Sequence, residues 1–195
     1  MQHGNLSPFE PLRLQVEETG RALCGTCHAA LLNVSAISFE PAFRDACAQN
    51  ACGNYGQCWM CPPDVGDIHV LIEKARSYQQ ALIYQTVGTL EDSYDFEGMM
   101  EAAARHNALC QTLTPVFRQA GFARMLPLGS GGCRLCETCA KRQGQPCRHP
   151  EDALPSLEAY GVNVSKLAAA CGMKYVNGVN TVTYFAGVLF DPPTI

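Results

Sequence analysis

Residues 129–147, GSGGCRLCETCAKRQGQPC, place four cysteines within fifteen positions, spaced C-x2-C-x2-C-x7-C. Structural zinc usually takes its thiolates as two separate pairs, because a tetrahedral ion is held from two sides. A [4Fe–4S] cluster offers one iron to each cysteine, and ligands three residues apart suit a chain that winds around it. The stretch therefore predicts a loop folded around an iron–sulfur cluster, with zinc or unmetallated thiols as alternatives. The predicted ligands are Cys133, Cys136, Cys139 and Cys147.

The glycines that lead into this loop fit the same interpretation. Backbone near a cluster must approach it closely and can donate N–H groups to sulfur, which a glycine permits. Four basic side chains also lie in or beside the loop, where they would offset the negative charge of a ligated cluster or form an ordinary solvated face. These residues are Gly129, Gly131 and Gly132, and Arg134, Lys141, Arg142 and Arg148.

A second crowded stretch, CAQNACGNYGQCWMCPP at residues 47–63, has the spacing C-x4-C-x5-C-x2-C. This spacing matches no common ferredoxin pattern, but four thiols in one short loop predict a second metal centre. Zinc is a full alternative at this site. Trp59 either covers the centre or belongs to the core. The candidate ligands are Cys47, Cys52, Cys58 and Cys61.

Composition limits the classes of function. The chain has 195 residues, 47% of them hydrophobic and 16% charged, which is typical of a globular protein and predicts a single metal-binding domain over residues 1–195. A net charge of −4 without a basic block argues against nucleic acid as a partner. No apolar run reaches the roughly 20 residues of a membrane helix, and residues 1–20 lack a signal-peptide pattern. We therefore expect a cytoplasmic protein with reduced thiols, whose twelve cysteines indicate metal rather than disulfides.

Hydrophobic periodicity predicts an α/β or α+β layered fold, with a small mixed sheet, packed helices and the two cysteine-rich loops at 47–63 and 129–150. Asp67 is expected to cap one helix. In the longest helix, Pro115 is expected to cause a kink or to begin a second helix capped by Thr114. Helices are predicted near 11–20, 40–47, 67–78, 95–121, 154–161 and 165–172. Strands are predicted near 28–39, 81–88, 123–132 and 180–190.

The remaining cysteines have other interpretations. CGTCH at 24–28 matches a c-type haem attachment pattern, but that attachment takes place outside the cytoplasm, so haem is not expected. Cys24 and Cys27 would then complete the first site or pair by coincidence. Cys110 and Cys171 fit core packing, as does His106 on the apolar stripe of the longest helix.

Taken together, these motifs resemble the prokaryotic family of predicted metal-binding proteins of unknown function. The resemblance runs from about Phe39 to Phe190, through both cysteine loops and the segments LEDSYDFEGMM and NTVTYFAGVLF. It implies that Cys58, Cys24 and Cys27 are additions to the family pattern, which leaves the first site with three cysteines and an open corner. The resemblance implies these motif cysteines: Cys47, Cys52 and Cys61 in the first loop, and Cys133, Cys136, Cys139 and Cys147 in the second.

The leading functional hypothesis is a cytoplasmic iron–sulfur protein that holds one or two [4Fe–4S] clusters and transfers electrons to a partner enzyme. The chain shows no catalytic triad, phosphate loop or dinucleotide fingerprint that would name another activity. Two alternatives are a redox or Lewis-acid enzyme that uses an open-corner cluster at the first loop, and a zinc-stabilised binding module.

Overall fold

The structure is a computed structural model that describes residues 8–193. Residues 1–7, part of the segment without a signal-peptide pattern, lie outside the described residues. The helices are α1 (Glu10–Cys24), α2 (Phe43–Ala48), α3 (Ile68–Arg76), α4 (Phe96–Gln119) and α5 (Val164–Ala170). The strands are β1 (Cys27–Asn33), β2 (Gln80–Thr89), β3 (Arg124–Leu128) and β4 (Thr181–Asp191). Within residues 8–193, no helix combines the length and the apolar character that crossing a membrane requires.

The strands form one four-stranded sheet in the order β1-β2-β4-β3, and each pairing is antiparallel. The central pair, β2 and β4, aligns ten residues of each strand, from Gln80 opposite Phe190 to Thr89 opposite Thr181. The expected class, a small sheet with packed helices and two cysteine loops, is confirmed, but the sheet is antiparallel throughout its four strands rather than mixed. Each of the four predicted strand regions overlaps one of these strands.

Side chains alternate along the central strands, so the sheet has two apolar faces. Helices cover both of them. Ile83 and Phe185 point to the face covered by α3 and α5, where they join one buried cluster. Leu82 and Val188 point to the opposite face, where α1 and α4 supply a second cluster. The register permits little change, since a Cβ on Gly187 would lie 2.7 Å from the Leu82 carbonyl oxygen.

Helix α3 begins as predicted. The Asp67 carboxylate accepts hydrogen bonds from the backbone N–H groups of His69 and Val70 at 2.9 and 3.2 Å. This satisfies two of the N–H groups that a helix start leaves free. The predicted apolar face of the helix is buried against the sheet.

Helix α4 runs on through Pro115 as one continuous helix, so the second helix that was expected as the alternative to a kink does not begin there. Thr114 is therefore not a cap; its hydroxyl donates instead to the Cys110 carbonyl at 2.8 Å, one turn back. In the first turn of the helix, the Phe96 side chain is 70% exposed. The helix extends beyond the edge of the core at this end.

The predicted helix over residues 154–161 shrinks to a single 3-10 turn, Glu158–Tyr160. Gly161 follows it with φ +75°, where a Cβ would lie 2.9 Å from the Ile72 Cδ1 atom. The close packing of this turn against α3 leaves no room for a side chain there, and a left-handed glycine ends the turn.

His106 of α4 is fully buried between the sheet and the helix, as the apolar stripe predicts. Its Nδ1 atom forms a 2.8 Å hydrogen bond with the Thr86 hydroxyl of β2. Burial lowers the pKa of His106 to about 4. The folded protein therefore holds this ring neutral at a pH where the unfolded chain, with an ordinary histidine pKa of about 6.5, takes up a proton.

The lowered pKa of His106 predicts that acid reduces the stability of the folded protein through this one residue. Because the unfolded state binds the extra proton, the free energy of unfolding should fall by about 1 kcal/mol from His106 alone between pH 7 and pH 5.5. Urea unfolding of the wild type and of His106→Gln at both pH values measures this loss. His69→Gln, which changes an exposed histidine of α3, is the control and should keep the wild-type pH dependence. An equal pH dependence in His106→Gln would contradict the assignment.

Candidate metal centre

The second cysteine loop, residues 129–150, begins where β3 ends. The Gly129 N–H group donates to the Pro155 carbonyl at 2.8 Å, and the Leu157 N–H group donates to the Gly129 carbonyl at 3.1 Å. The first cysteine loop, residues 47–63, begins in α2 and leads towards α3. Each loop is therefore attached to regular structure on at least one side.

The two loops contact each other through the glycine-rich lead-in. A Cβ on Gly132 would lie 2.8 Å from the Asn54 Nδ2 atom, so the first loop occupies the space where a side chain would be. Gly131 adopts φ +63°, a left-handed conformation that favours glycine. The Arg142 guanidinium also approaches the Gly53 carbonyl at 3.5 Å. The glycines were expected to let the backbone approach a cluster closely. In the structure, the neighbour that Gly132 approaches is the first loop.

A lysine joins the loops on a second side. Lys141 forms an ion pair with Asp64, and its Nζ atom lies 4.3 Å from the centre of the Trp59 ring. The Trp59 Nε1–H group donates to the Gln145 carbonyl at 2.9 Å. Trp59 is half-buried rather than part of the buried core, and it lies between the loops. The Lys141 cation is therefore shared by a carboxylate and an aromatic face, both from the first-loop side.

The four predicted cysteines of the second loop line one narrow cavity, together with the apolar side chains of Ala140 and Ala153. A wider cavity, of about 480 Å³, opens beside three of them. Burial raises the pKa of Cys133, and a hydrogen bond to the backbone of Leu135 partly offsets the effect. The loop thus brings its four thiols to one place. The cysteines lining the narrow cavity are Cys133, Cys136, Cys139 and Cys147.

Cys58 comes from the first loop but lies against the second. Its side chain is 2% exposed, and it lines the wider cavity beside Cys133 and Cys139. Hydrogen bonding from the Cys61 thiol, helped by the backbone of Met60 and Cys133 and by the Cys139 thiol, lowers the pKa of Cys58 to about 6. The pKa of Cys61 is raised, because its proton is held by Cys58 and the group is buried. Cys58 therefore connects the two groups of thiols.

The other three cysteines of the first loop, Cys47, Cys52 and Cys61, line a different cavity of about 360 Å³. Burial raises the pKa of Cys47, and its electrostatic neighbours include Cys52 and Glu158. Cys58 is not among the described residues that line this cavity. Three first-loop thiols therefore line one cavity, while Cys58 keeps its hydrogen bond with Cys61 and lines the neighbouring cavity beside the second loop.

Glu158 adds a carboxylate to this three-cysteine cavity. Burial raises the pKa of Glu158, while hydrogen bonds from its own backbone and from Ser156 partly offset the shift. The Ser156 hydroxyl also accepts the Ala159 N–H group at 3.1 Å, which fixes the 3-10 turn that carries the carboxylate. The result is a carboxylate held at a defined position in the wall.

The thiols do not converge as they would on one metal ion. Among the described residues, no three His, Cys, Asp or Glu side chains lie close enough together to hold a single ion. Around one zinc, with Zn–S bonds of about 2.3 Å, tetrahedral geometry would bring thiolates to about 3.8 Å from each other. The two groups of cysteines line the walls of separate cavities.

The remaining cysteines pack in the protein. Cys27 is 1% exposed, and its thiol lies 3.8 Å from the Val16 carbonyl that accepts its weak hydrogen bond. Burial raises the pKa of Cys27 to about 12. Cys110 is buried in the same cluster, and Cys171 packs against the cluster on the other face of the sheet. The structure does not bring Cys27 to the first loop, and the core positions of Cys110 and Cys171 are confirmed.

Sequence reasoning did not identify the residues that join the loops or supply the cavity carboxylate. Asp64 and Lys141 are 77 positions apart, and each is an ordinary surface residue type. Glu158 lay in a predicted helix, where an acidic residue carries no signal. Lys141 is recognisable in the sequence as a basic residue of the second loop, and Asp64 lies directly after the first cysteine motif, but neither position indicates that the two form a pair.

One comparison with known proteins gives a match. A family model described as "Predicted metal-binding protein (DUF2284)" matches residues 30–190, which contain both cysteine loops and exclude Cys24 and Cys27. No curated protein matches the chain, and no solved structure does. The match covers most of the sequence and agrees with the resemblance seen in the cysteine motifs. The chain therefore belongs to the DUF2284 family of predicted metal-binding proteins.

Proposed function

We propose that this protein is a cytoplasmic iron–sulfur protein that transfers electrons to a partner protein. The second loop would hold a [4Fe–4S] cluster through its four cysteines, and the first loop would hold a second centre. When bound, such a cluster takes up and releases one electron at a time. Free thiols at all twelve cysteines, each within residues 8–193, agree with a reducing compartment.

The observation that carries this proposal is the arrangement of the second-loop thiols. Three of its four cysteines follow one another at C-x2-C-x2-C spacing, and all four line a single cavity. Structural zinc usually takes its thiolates as two separate pairs, whereas this spacing supplies three corners of one cube in bacterial ferredoxins. The spacing and the shared cavity therefore support the cluster over zinc at this loop.

The charges around the second loop support electron exchange with an acidic partner. Arg134, Arg142 and Arg148 are exposed, and within the described residues none forms an ion pair with a carboxylate. Arg134 and Arg142 line the wider cavity beside the thiols, together with Glu137. Their positive charge would offset the negative charge of a ligated cluster. The same charge would attract carboxylates on a redox partner.

A second candidate function is favoured by the three-cysteine cavity at the first loop. Three thiols would leave one corner of a [4Fe–4S] cluster without a cysteine ligand, and the adjoining space of about 360 Å³ is within the range of small-molecule sites. In this case the first centre would bind a substrate as a redox or Lewis-acid site, and the second would supply or remove electrons.

The first test is the metal content of protein purified without oxygen. We expect a brown protein with iron and acid-labile sulfide. Cys133→Ser and Cys139→Ser should each lower the content by about four iron and four sulfide per chain, because each removes a ligand of one cluster. Cys171→Ser, which changes a thiol packed against the core, is the control and should keep the wild-type content. Colourless protein with stoichiometric zinc would overturn the proposal.

A second test concerns the lysine that joins the loops. Electron exchange between two centres requires a fixed distance, and the Lys141–Asp64 pair helps to hold one loop on the other. Lys141→Met should destabilise the protein by about 1–3 kcal/mol, because it leaves a mostly buried carboxylate without its partner. A double-mutant cycle with Asp64→Asn, measured by urea unfolding, gives the coupling free energy of the pair.

The matched control for that cycle is Arg76→Met with Glu73→Gln. This pair is exposed, with its charged atoms 3.2 Å apart, and its coupling should stay below about 0.5 kcal/mol. We expect a coupling of about 1–2 kcal/mol for Lys141 and Asp64. Equal coupling in both pairs would show that the interloop contact adds no more than a surface ion pair.

A further inference from the structure

The cavity beside the three first-loop cysteines has walls from distant parts of the chain. The first loop contributes Tyr55, the second loop contributes Ser130, and β4 contributes Tyr184. The Tyr184 hydroxyl donates to the Met99 carbonyl at 2.9 Å, so its ring is held in place from behind. The cavity is thus a space between two loops and the sheet, with aromatic rings in its wall.

One carboxyl group lies in this wall. It belongs to Glu158, which within the described residues takes part in no ion pair. Among the described residues that line the cavity, none is Lys, Arg or His. An anionic ligand would therefore find no cationic side chain among these lining residues, whereas a ligand with an N–H donor would find a carboxyl oxygen as acceptor. The wall favours neutral or cationic molecules over anions.

Three of the four first-loop cysteines, Cys47, Cys52 and Cys61, line this cavity. The thiol of the fourth, Cys58, is hydrogen-bonded with Cys61 but lines the neighbouring cavity. A [4Fe–4S] cluster held by three cysteines keeps one iron open to a ligand from outside the chain. Nitrogen ligands such as imidazole suit iron. A ligand that uses both features would therefore need one nitrogen that binds iron and a second that donates an N–H group to the carboxyl group.

We propose that this cavity binds a small planar nitrogen compound, neutral or cationic, which coordinates the first-loop centre through one nitrogen and donates an N–H group to Glu158. The aromatic walls provide contact for a planar ring. The proposal rests on the proposed function, since it requires an iron–sulfur centre at the first loop. It adds the chemical class of the ligand and assigns Glu158 as the residue that selects it.

Imidazole is the probe, because one ring nitrogen can bind iron while the other donates a hydrogen bond. Oxygen-free protein is titrated with imidazole, and the visible spectrum and the electron paramagnetic resonance signal of the dithionite-reduced protein are recorded. We expect a saturable spectral change in the wild type. Glu158→Gln should raise the dissociation constant about tenfold or more, because it removes a hydrogen bond to a charged group, while iron and sulfide contents stay unchanged.

Two further variants keep the test independent of one substitution. Glu137→Gln changes a carboxylate in the neighbouring cavity and should bind imidazole like the wild type. Ser130→Leu places a larger side chain in the wall of the ligand cavity and should also weaken binding severalfold, again with unchanged iron. Equal weakening in Glu137→Gln and Glu158→Gln would overturn the role of Glu158.

The other outcomes separate this inference from the proposed function. A wild type that contains iron and sulfide but gives no spectral change with imidazole overturns the ligand site and leaves the iron–sulfur proposal standing. Loss of iron in Glu158→Gln shows that the carboxylate is itself a metal ligand, which also overturns the ligand site. A wild type without iron and sulfide overturns the proposed function.

Discussion

The contact between the two cysteine loops determines the geometry of both candidate centres. Neither loop forms a helix or strand over most of its length, so the positions of the thiols depend on contacts between loops rather than on backbone ladders. Lys141 supplies one contact, to Asp64 and the Trp59 ring, and Gly132 supplies another, against Asn54. An ion pair that is mostly removed from water stabilises a fold only when both partners remain. Loss of either partner would therefore loosen the contact that positions the thiols of both loops.

The sheet provides the fixed frame for this contact. β4 lies between β2 and β3, and the second loop leaves directly from the end of β3. Gly187 permits the tight pairing of β4 with β2, because any side chain there would meet the Leu82 carbonyl. With both faces of the sheet buried, the strands cannot shift register without moving apolar side chains into water. The loop that follows β3 is thus held by the most buried part of the molecule.

The sequence predicted those features that depend on local chemistry. The Asp67 cap, the β-rich runs of β2 and β4, and the buried positions of His106 and Cys110 follow from capping and periodicity. Pro115 does not begin a second helix, and the Thr114 hydroxyl donates to the Cys110 carbonyl within α4 instead of capping one.

The parts of the candidate site that could not be predicted depend on distant residues. Cys58 is hydrogen-bonded with its loop neighbour Cys61, but its contacts with the backbone of Cys133 and the Cys139 thiol come from far along the chain. Nothing in a C-x2-C spacing indicates that its two thiols line different cavities.

The two centres differ in their surroundings, and this difference suits two roles. Around the second loop, Arg134, Arg142 and Arg148 place positive charge beside four thiols. Around the first loop, three thiols share their cavity with the Glu158 carboxylate. Positive charge near a cluster favours its reduced, more negative state, and negative charge opposes it. On the proposed function, electrons would therefore rest at the second loop, where an acidic partner can dock. The first loop would keep its open position for a ligand, and Cys58 lies between the two groups of thiols.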